Sequence, residues 1–290
     1  MVLTIKILVA GLIPYDSGKT WFTLSSAMYT RSRGLNTRVF KPIAGHSLWY
    51  SPSTIRKSIA QSILVGNDIS LYYENGLVEN PAIGNPIALA TIPPDPTYYG
   101  DKIDSYFLEI EQAISTLAIS RITDCSTSLS QHYYYPENIK KAPGLIGKTI
   151  TKLVNKLKAE KSNVLSLLNY TSSQESEKNI NICFEKISKD ADILFIESFN
   201  DAATPYTSLI SRVDYFIIVA PGRVLVYDNI EAIEKSIVEG TSKHGWEGLR
   251  TRYLVKAIKP VHMIETGFIS KPRPRIQHIE LINKLIPRND

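Results

Sequence analysis

The chain has 290 residues, a formal net charge of +5 at pH 7 and 43% hydrophobic residues, which is an ordinary composition for a globular protein. This length is enough to bury a full core, and the apolar fraction excludes disorder over most of the chain. The mild basic excess fits an anionic ligand without requiring nucleic acid.

The cysteines and the apolar segments indicate the compartment. Cys125 and Cys183 are far apart and form no C-x-x-C pair, so the sequence predicts neither a disulfide nor a zinc site. Residues 1–13 contain Lys6 and precede no small-residue cleavage site, so we interpret them as a first core strand and not as a signal peptide. No later stretch reaches about 18 apolar residues. We therefore expect a soluble cytoplasmic protein that does not enter the membrane.

The first part of the chain alternates between strand and helix patterns. Residues 4–10 (TIKILVA) predict a strand that is buried on both faces. Helical spacing follows over residues 19–32, and Gly34 stands where a glycine commonly ends a helix. Residues 37–41 (TRVFK) predict a second strand, which Pro42 ends.

Further along, residues 55–65 and 101–119 predict helices, and residues 80–96, rich in proline, asparagine and glycine, predict an irregular loop. Later come predicted strands at 192–196, 213–220 and 253–258, with a helix over 226–239. This alternation predicts an α/β fold with a mostly parallel central sheet and helices on both faces. We expect one domain over residues 1–290.

Residues of about 125–178 interrupt this alternation and predict a basic helical insertion, since they include an amphipathic helix over 144–161. Much of the chain's positive excess lies there, in Lys140, Lys141, Lys148, Lys152, Lys156, Lys158 and Lys161. Tyr133, Tyr134 and Tyr135 could stack on nucleic-acid bases, although packing against the core is the simpler interpretation. A nucleic-acid partner for the insertion therefore stays open.

The strongest motif is GLIPYDSGKT, residues 11–20, because it follows a predicted strand and opens a predicted helix. Backbone N–H groups at the start of that helix suit phosphates, and the helix dipole favours them. Lys19 would reach the β- and γ-phosphates of a nucleotide, and the Thr20 hydroxyl would bind Mg²⁺. The predicted binding residues are Gly11, Asp16, Ser17, Gly18, Lys19, Thr20 and Trp21. The loop departs from the common spacing at Ile13, where a glycine is usual.

A second G-K-T triplet occurs at residues 147–149. No apolar strand precedes it, so we interpret this triplet as part of a solvated basic helix.

Lys41 lies at the carboxyl end of the second predicted strand, at the sheet edge where ligands of parallel sheets bind. The strand–loop–GKT–helix pattern, followed by a strand that ends in Lys41-Pro42-Ile43-Ala44, resembles dethiobiotin synthetase. This resemblance implies a three-layer P-loop NTPase fold. It also implies that Thr20, Asp68 and Glu197 hold Mg²⁺ and that Lys19, Lys41 and Glu197 act in catalysis.

The PYDSGKT and KPIAGHSLWY segments look more like an uncharacterised archaeal family of predicted P-loop ATPases or GTPases. Residues 254–260 lack the N-K-x-D motif that reads guanine, so ATP is favoured over GTP. We expect an ATPase, or an ATP-dependent ligase or kinase that activates or phosphorylates a small molecule.

Other functions stay open. They are a nucleotide-dependent switch that acts on a protein or nucleic acid, and a polynucleotide kinase-like enzyme. A homodimer is also open. His46 could act as a base or be a hydrogen-bonded loop residue.

Overall fold

The computed structural model describes residues 4–267 and 276–286, so residues 1–3 of the apolar N-terminal segment lie outside the described residues. The fold is α/β. The strands are β1 (Ile5–Gly11), β2 (Thr37–Phe40), β3 (Ile43–Ser47), β4 (Ile87–Thr91), β5 (Leu117–Thr123), β6 (Ser130–Tyr134), β7 (Glu160–Lys161), β8 (Ile193–Glu197), β9 (Tyr215–Ala220), β10 (Arg223–Tyr227) and β11 (His262–Glu265). The helices are α1 (Lys19–Ser32), α2 (Ser53–Gln61), α3 (Asn67–Glu74), α4 (Pro81–Gly84), α5 (Ile103–Glu111), α6 (Pro136–Ile139), α7 (Gly144–Lys156), α8 (Val164–Thr171), α9 (Gln174–Ser188), α10 (Ile230–His244), α11 (Thr251–Ala257) and α12 (Ile276–Leu285).

The chain divides into two compact units. The first unit comprises Met1–Pro42, Tyr72–Glu79 and Phe184–Asp290, and the second comprises Ile43–Leu71 and Asn80–Cys183. The basic insertion that the sequence places at about 125–178 is only one part of the second unit, which begins directly after Pro42.

The first unit contains a six-stranded sheet in the order β11-β10-β9-β1-β8-β2. The strands β2, β8, β1 and β9 are parallel, whereas β10 and β11 are antiparallel additions at one edge. Ile7, Leu8, Val9 and Ala10 of β1 are fully buried, as expected for a strand covered on both faces. The parallel register brings the carboxyl ends of β1, β8 and β2 to the same edge of the sheet.

The second unit contains a five-stranded mixed sheet in the order β3-β4-β5-β6-β7. The predicted amphipathic helix is present as α7, and its apolar side lies in a core that this sheet also supplies. That core is made of Leu48, Leu64, Ala88, Ala90, Ile92, Ala118, Ile119, Ile150, Leu153, Val154 and Leu157.

Two predictions within the second unit are wrong. The predicted loop at 80–96 contains β4, and the predicted helix over 101–119 ends at Glu111, after which the chain forms β5. The strand β4 (IALAT) carries alanines at two of its core positions, and alanine is a weak strand former. The prolines and asparagines on either side led to the prediction of a loop. The predicted helix over 55–65 is shorter, because α2 ends at Gln61 and α3 begins separately.

Two predictions within the first unit are also wrong. Residues 253–258 lie largely in helix α11 instead of a strand. The predicted helix over 226–239 begins only at Ile230, because residues 223–227 form β10. Gly222, with φ of 78°, makes the tight turn from β9 into β10, and the apolar run that follows pairs as a strand.

The two cysteines form a disulfide, Cys125–Cys183, which corrects the expectation that neither would be paired. Their separation of 58 residues matches no sequence signature, and tertiary structure brings them together. Asn179 of α9 accepts a hydrogen bond from the Cys125 backbone N–H (2.7 Å) and donates one to the Thr123 carbonyl (2.7 Å). These bonds fix α9 against the end of β5, next to Cys125.

None of the helices in residues 4–267 and 276–286 has the length and apolar character that crossing a bilayer requires.

We expect the free energy of unfolding of the second unit to decrease as the pH is lowered, because of His132. Burial, and next the nearby Arg121, lower the pKa of His132 to about 4, and its Nε2 accepts a hydrogen bond from the Leu64 N–H (3.0 Å). In the unfolded chain His132 takes up a proton near pH 6.5, whereas in the folded chain it does so only near pH 4. The contribution of His132 to the free energy of unfolding is therefore complete above pH 6.5 and lost by pH 4. It amounts to about 3 kcal/mol in the free energy of unfolding.

Urea unfolding between pH 4 and 7 measures this effect, with His132→Gln as the control. A glutamine oxygen can also accept from Leu64 but does not titrate, so the pH dependence should become shallower, with only the part due to the buried His46 remaining. An equally steep dependence in His132→Gln would contradict the prediction.

Candidate functional site

Residues 11–20 connect β1 to α1 through a loop with two residues in the left-handed region. Asp16 has φ of 54°, and Gly18, the residue that caps α1, has φ of 91°. No side chain caps α1, and its first turn carries no acidic residue. The first N–H groups of a helix have no partner within the helix, so this end of α1 suits an anion.

The loop packs closely on Gly11, which explains why the motif begins with glycine. A Cβ atom at Gly11 would lie 2.6 Å from the Ser17 Oγ and 3.0 Å from the Asn200 carbonyl oxygen. The Gly11 carbonyl accepts a hydrogen bond from the Thr251 hydroxyl (2.7 Å). Ser17 Oγ is buried and has no hydrogen-bond partner within the part of the chain that the structure describes.

The predicted phosphate-contacting residues lie at the start of α1. Lys19 is only 9% exposed, so its side chain runs along the protein and not into bulk solvent. Thr20 and Trp21 are partly buried.

The centre of the site is the carboxylate of Glu197, the last residue of β8, which is 0% exposed. Its Oε1 accepts hydrogen bonds from Lys41 Nζ (2.5 Å) and from the Thr20 hydroxyl (3.0 Å). The Tyr72 hydroxyl donates to Oε2. Both oxygens of this buried carboxylate are therefore hydrogen-bonded, which is what burial of a charge requires.

Lys41 and Glu197 meet because of the sheet register. Phe40 of β2 lies opposite Ile196 of β8 in the sheet. The residues that follow them in the chain, Lys41 and Glu197, therefore lie at the same level. Lys41 is 4% exposed. Breaking such a buried pair at one partner leaves an uncompensated charge and costs about 3–5 kcal/mol.

Tyr72 of α3 is the residue of this network that sequence reasoning missed. It is fully buried, and its hydroxyl also donates to the Thr20 carbonyl oxygen (3.4 Å). The helix containing Tyr72 was not predicted, and 125 residues separate Tyr72 from Glu197. A lone tyrosine in a short helix carries no local signal that would reveal such a role.

Asp68, the third predicted metal ligand, lies in the first turn of α3 and belongs to the second unit. Thr20 and Glu197 belong to the first unit, where the Thr20 hydroxyl donates a hydrogen bond to the Glu197 carboxylate. Asp68 lies near His46, whose ring nitrogens are both buried. Burial lowers the pKa of His46 to about 4, and the charge of Asp68 opposes this shift in part.

The donors in the first unit fit Mg²⁺. Thr20 and Glu197 offer hard oxygen atoms 3.0 Å apart, and Mg²⁺ takes few protein ligands because it keeps waters and phosphate oxygens. Within residues 4–267 and 276–286, no group of three or more His, Cys, Asp or Glu side chains is arranged to hold a metal ion.

The two G-K-T triplets make a matched test of the loop geometry. Gly18→Ala places a side chain at φ of 91°, which costs about 1–2 kcal/mol in the free energy of unfolding. Gly147→Ala meets no atom within 4 Å and improves helix propensity, so it should be neutral or stabilise by up to about 1 kcal/mol. Urea unfolding of both variants measures the difference, and equal effects would show that Gly18 needs no left-handed backbone.

Comparison with protein-family models, with curated proteins and with solved structures finds no match to this chain.

Proposed function

We propose that this protein binds Mg·ATP at residues 11–20, within a three-layer P-loop NTPase fold like that of dethiobiotin synthetase. It would use ATP to phosphorylate or activate a small molecule. The observation that carries this proposal is the buried Glu197 carboxylate, which holds Lys41 and Thr20 together beside the N-terminus of α1.

Binding of the triphosphate would use the start of α1. The uncapped N–H groups and the helix dipole attract the phosphates, and Ser17 Oγ offers a buried hydroxyl in the same loop. Lys19 adds the main positive charge. Gly11, Asp16, Gly18 and Trp21 shape the loop. ATP is proposed over GTP because residues 254–260 lack a guanine-reading N-K-x-D motif.

Metal binding would use the Thr20 hydroxyl and the Glu197 carboxylate, both of which are hard oxygen donors. Bound Mg²⁺ would supply charge neutralisation of the phosphate oxygens. Glu197 keeps the ammonium group of Lys41 at the end of β2, where it stabilises negative charge on a transferring phosphoryl group. The hydrogen bond from Tyr72 keeps Glu197 oriented toward Lys41 and Thr20.

We predict that Lys19→Ala loses ATP binding or turnover, because it removes the main phosphate-binding charge. Lys148→Ala is the matched control, since Lys148 is the lysine of the second G-K-T triplet and lies exposed on α7. Titration with a fluorescent ATP analogue in Mg²⁺ measures affinity, and phosphate release measures turnover. Unchanged affinity and turnover in Lys19→Ala would refute the site.

We also predict a graded loss of turnover when the Glu197 network is weakened. Tyr72→Phe removes one hydrogen bond to a charged group, worth about 1.5–3 kcal/mol, and should lower kcat about tenfold or more with little change in nucleotide affinity. Glu197→Gln should lose Mg²⁺-dependent turnover while it still binds nucleotide.

Two controls separate a functional effect from unfolding. Tyr29→Phe removes a hydroxyl that donates to Asn283, outside the Glu197 network, and should leave kcat unchanged. Lys41→Met combined with Glu197→Gln restores charge balance if Glu197→Gln alone is unstable, and nucleotide binding is its readout because Lys41 is itself proposed to act in catalysis. Full Mg²⁺-dependent turnover in a folded Glu197→Gln variant would place the metal elsewhere.

A further inference from the structure

The outer face of α7 in the second unit is a row of lysines. Ile150, Leu153 and Val154 bury the inner side of this helix, so its orientation is fixed by the core. Lys148, Lys152 and Lys156 recur every four residues and are all exposed, which places them on one side of the helix.

These three lysines carry positive charge, and their own helix supplies no acidic residue to offset it. The helix GLIGKTITKLVNK contains no aspartate or glutamate. None of Lys148, Lys152 and Lys156 has an ion pair within the described ranges. Like charges at this spacing destabilise a helix by about 0.2–0.5 kcal/mol per pair, so the arrangement has a small energetic cost.

Two other lysines of the same segment show the contrast. Lys140 pairs with Glu137, and Lys141 forms an ion pair with Glu109 (2.8 Å). Unlike these two paired lysines, the three lysines on the outer face of α7 have no acidic partner in the described part of the chain. Thr149 and Thr151 are also exposed on α7, but their hydroxyls donate to the carbonyls of Leu145 and Gly147, so the lysines are the main groups available to a ligand.

The spacing of the lysines suits a regular polyanion. Eight residues of α-helix separate Lys148 from Lys156, a rise of about 12 Å. One strand of a nucleic-acid duplex carries a phosphate about every 3.4 Å along its axis, so the row spans about three to four phosphates. An anionic membrane fits less well, because the apolar side of α7 is buried in the core and only Leu145, at the start of the helix, is strongly exposed.

We propose that the exposed face of α7, formed by Lys148, Lys152 and Lys156, binds the phosphate backbone of duplex nucleic acid. Tyr133 and Tyr134 pack against the cores of the second unit, and Tyr135 is buried, so these aromatic rings are not presented for stacking on bases. Binding should therefore be independent of base sequence. This surface is distinct from residues 11–20 and does not depend on the proposed nucleotide site.

The test uses fluorescence anisotropy with labelled 20-base-pair DNA and RNA duplexes of two unrelated sequences, at several salt concentrations. Wild-type protein should bind both sequences of at least one duplex type, with an affinity that falls as salt rises. The triple variant Lys148→Glu, Lys152→Glu, Lys156→Glu should lose at least tenfold in affinity. If each lysine meets one phosphate, the slope of log K against log salt should shrink by about 2.7.

A matched triple variant controls for net charge. Lys235→Glu, Lys243→Glu and Lys256→Glu change the same number of exposed lysines, all in the first unit, and should retain most of the affinity. Thermal unfolding confirms that each variant is folded.

Several outcomes would overturn the proposal. They are absence of duplex binding by the wild type at low salt, an equal loss of affinity in both triple variants, and binding to phosphatidylserine vesicles without binding to duplexes. Failure of ATP binding would leave this result unaffected, because no nucleotide is present in the assay.

Discussion

The candidate site depends on one buried charge. Glu197 is fully buried at the end of a central parallel strand, and burial of a carboxylate is costly unless donors surround it. Lys41, Thr20 and Tyr72 supply those donors from three different elements of the first unit. Because each donor must reach the same two oxygen atoms, the ends of β2 and β8, the start of α1 and the end of α3 are fixed relative to one another.

The part of the fold that surrounds this charge is largely predictable from the sequence. The sequence patterns predicted β1, β2, β8 and β9 close to their observed bounds and α1 at its observed bounds. Each of these elements is a continuous periodic segment with clear boundary residues. Gly34 adopts φ of 85°, as expected for a glycine that follows a helix. The proximity of Lys41 and Glu197 could be expected, because Lys41 ends one predicted strand, Glu197 directly follows another, and the carboxyl ends of parallel strands share an edge.

The second unit was harder to predict, for physical reasons that differ from residue to residue. The alanines of β4 have little intrinsic strand preference, so the strand depends on its pairing with β3 and β5 and on burial in the core that includes α7. The Cys125–Cys183 disulfide and the Asn179 hydrogen bonds beside it join residues more than 50 positions apart. Tyr72 is likewise defined by a contact over 125 residues. Local patterns carry no information about such pairs.

The division of the chain into segments has a consequence for how the protein folds. Strand β8 sits between β1 and β2 in the sheet, yet more than 150 residues separate Lys41 from Glu197, and most of the intervening chain belongs to the second unit. During synthesis the ribosome completes that intervening unit, up to Cys183, before β8 emerges. The first sheet must therefore close a long chain loop late in folding, which predicts slow assembly and a nascent chain with β1 and β2 still lacking the strand between them.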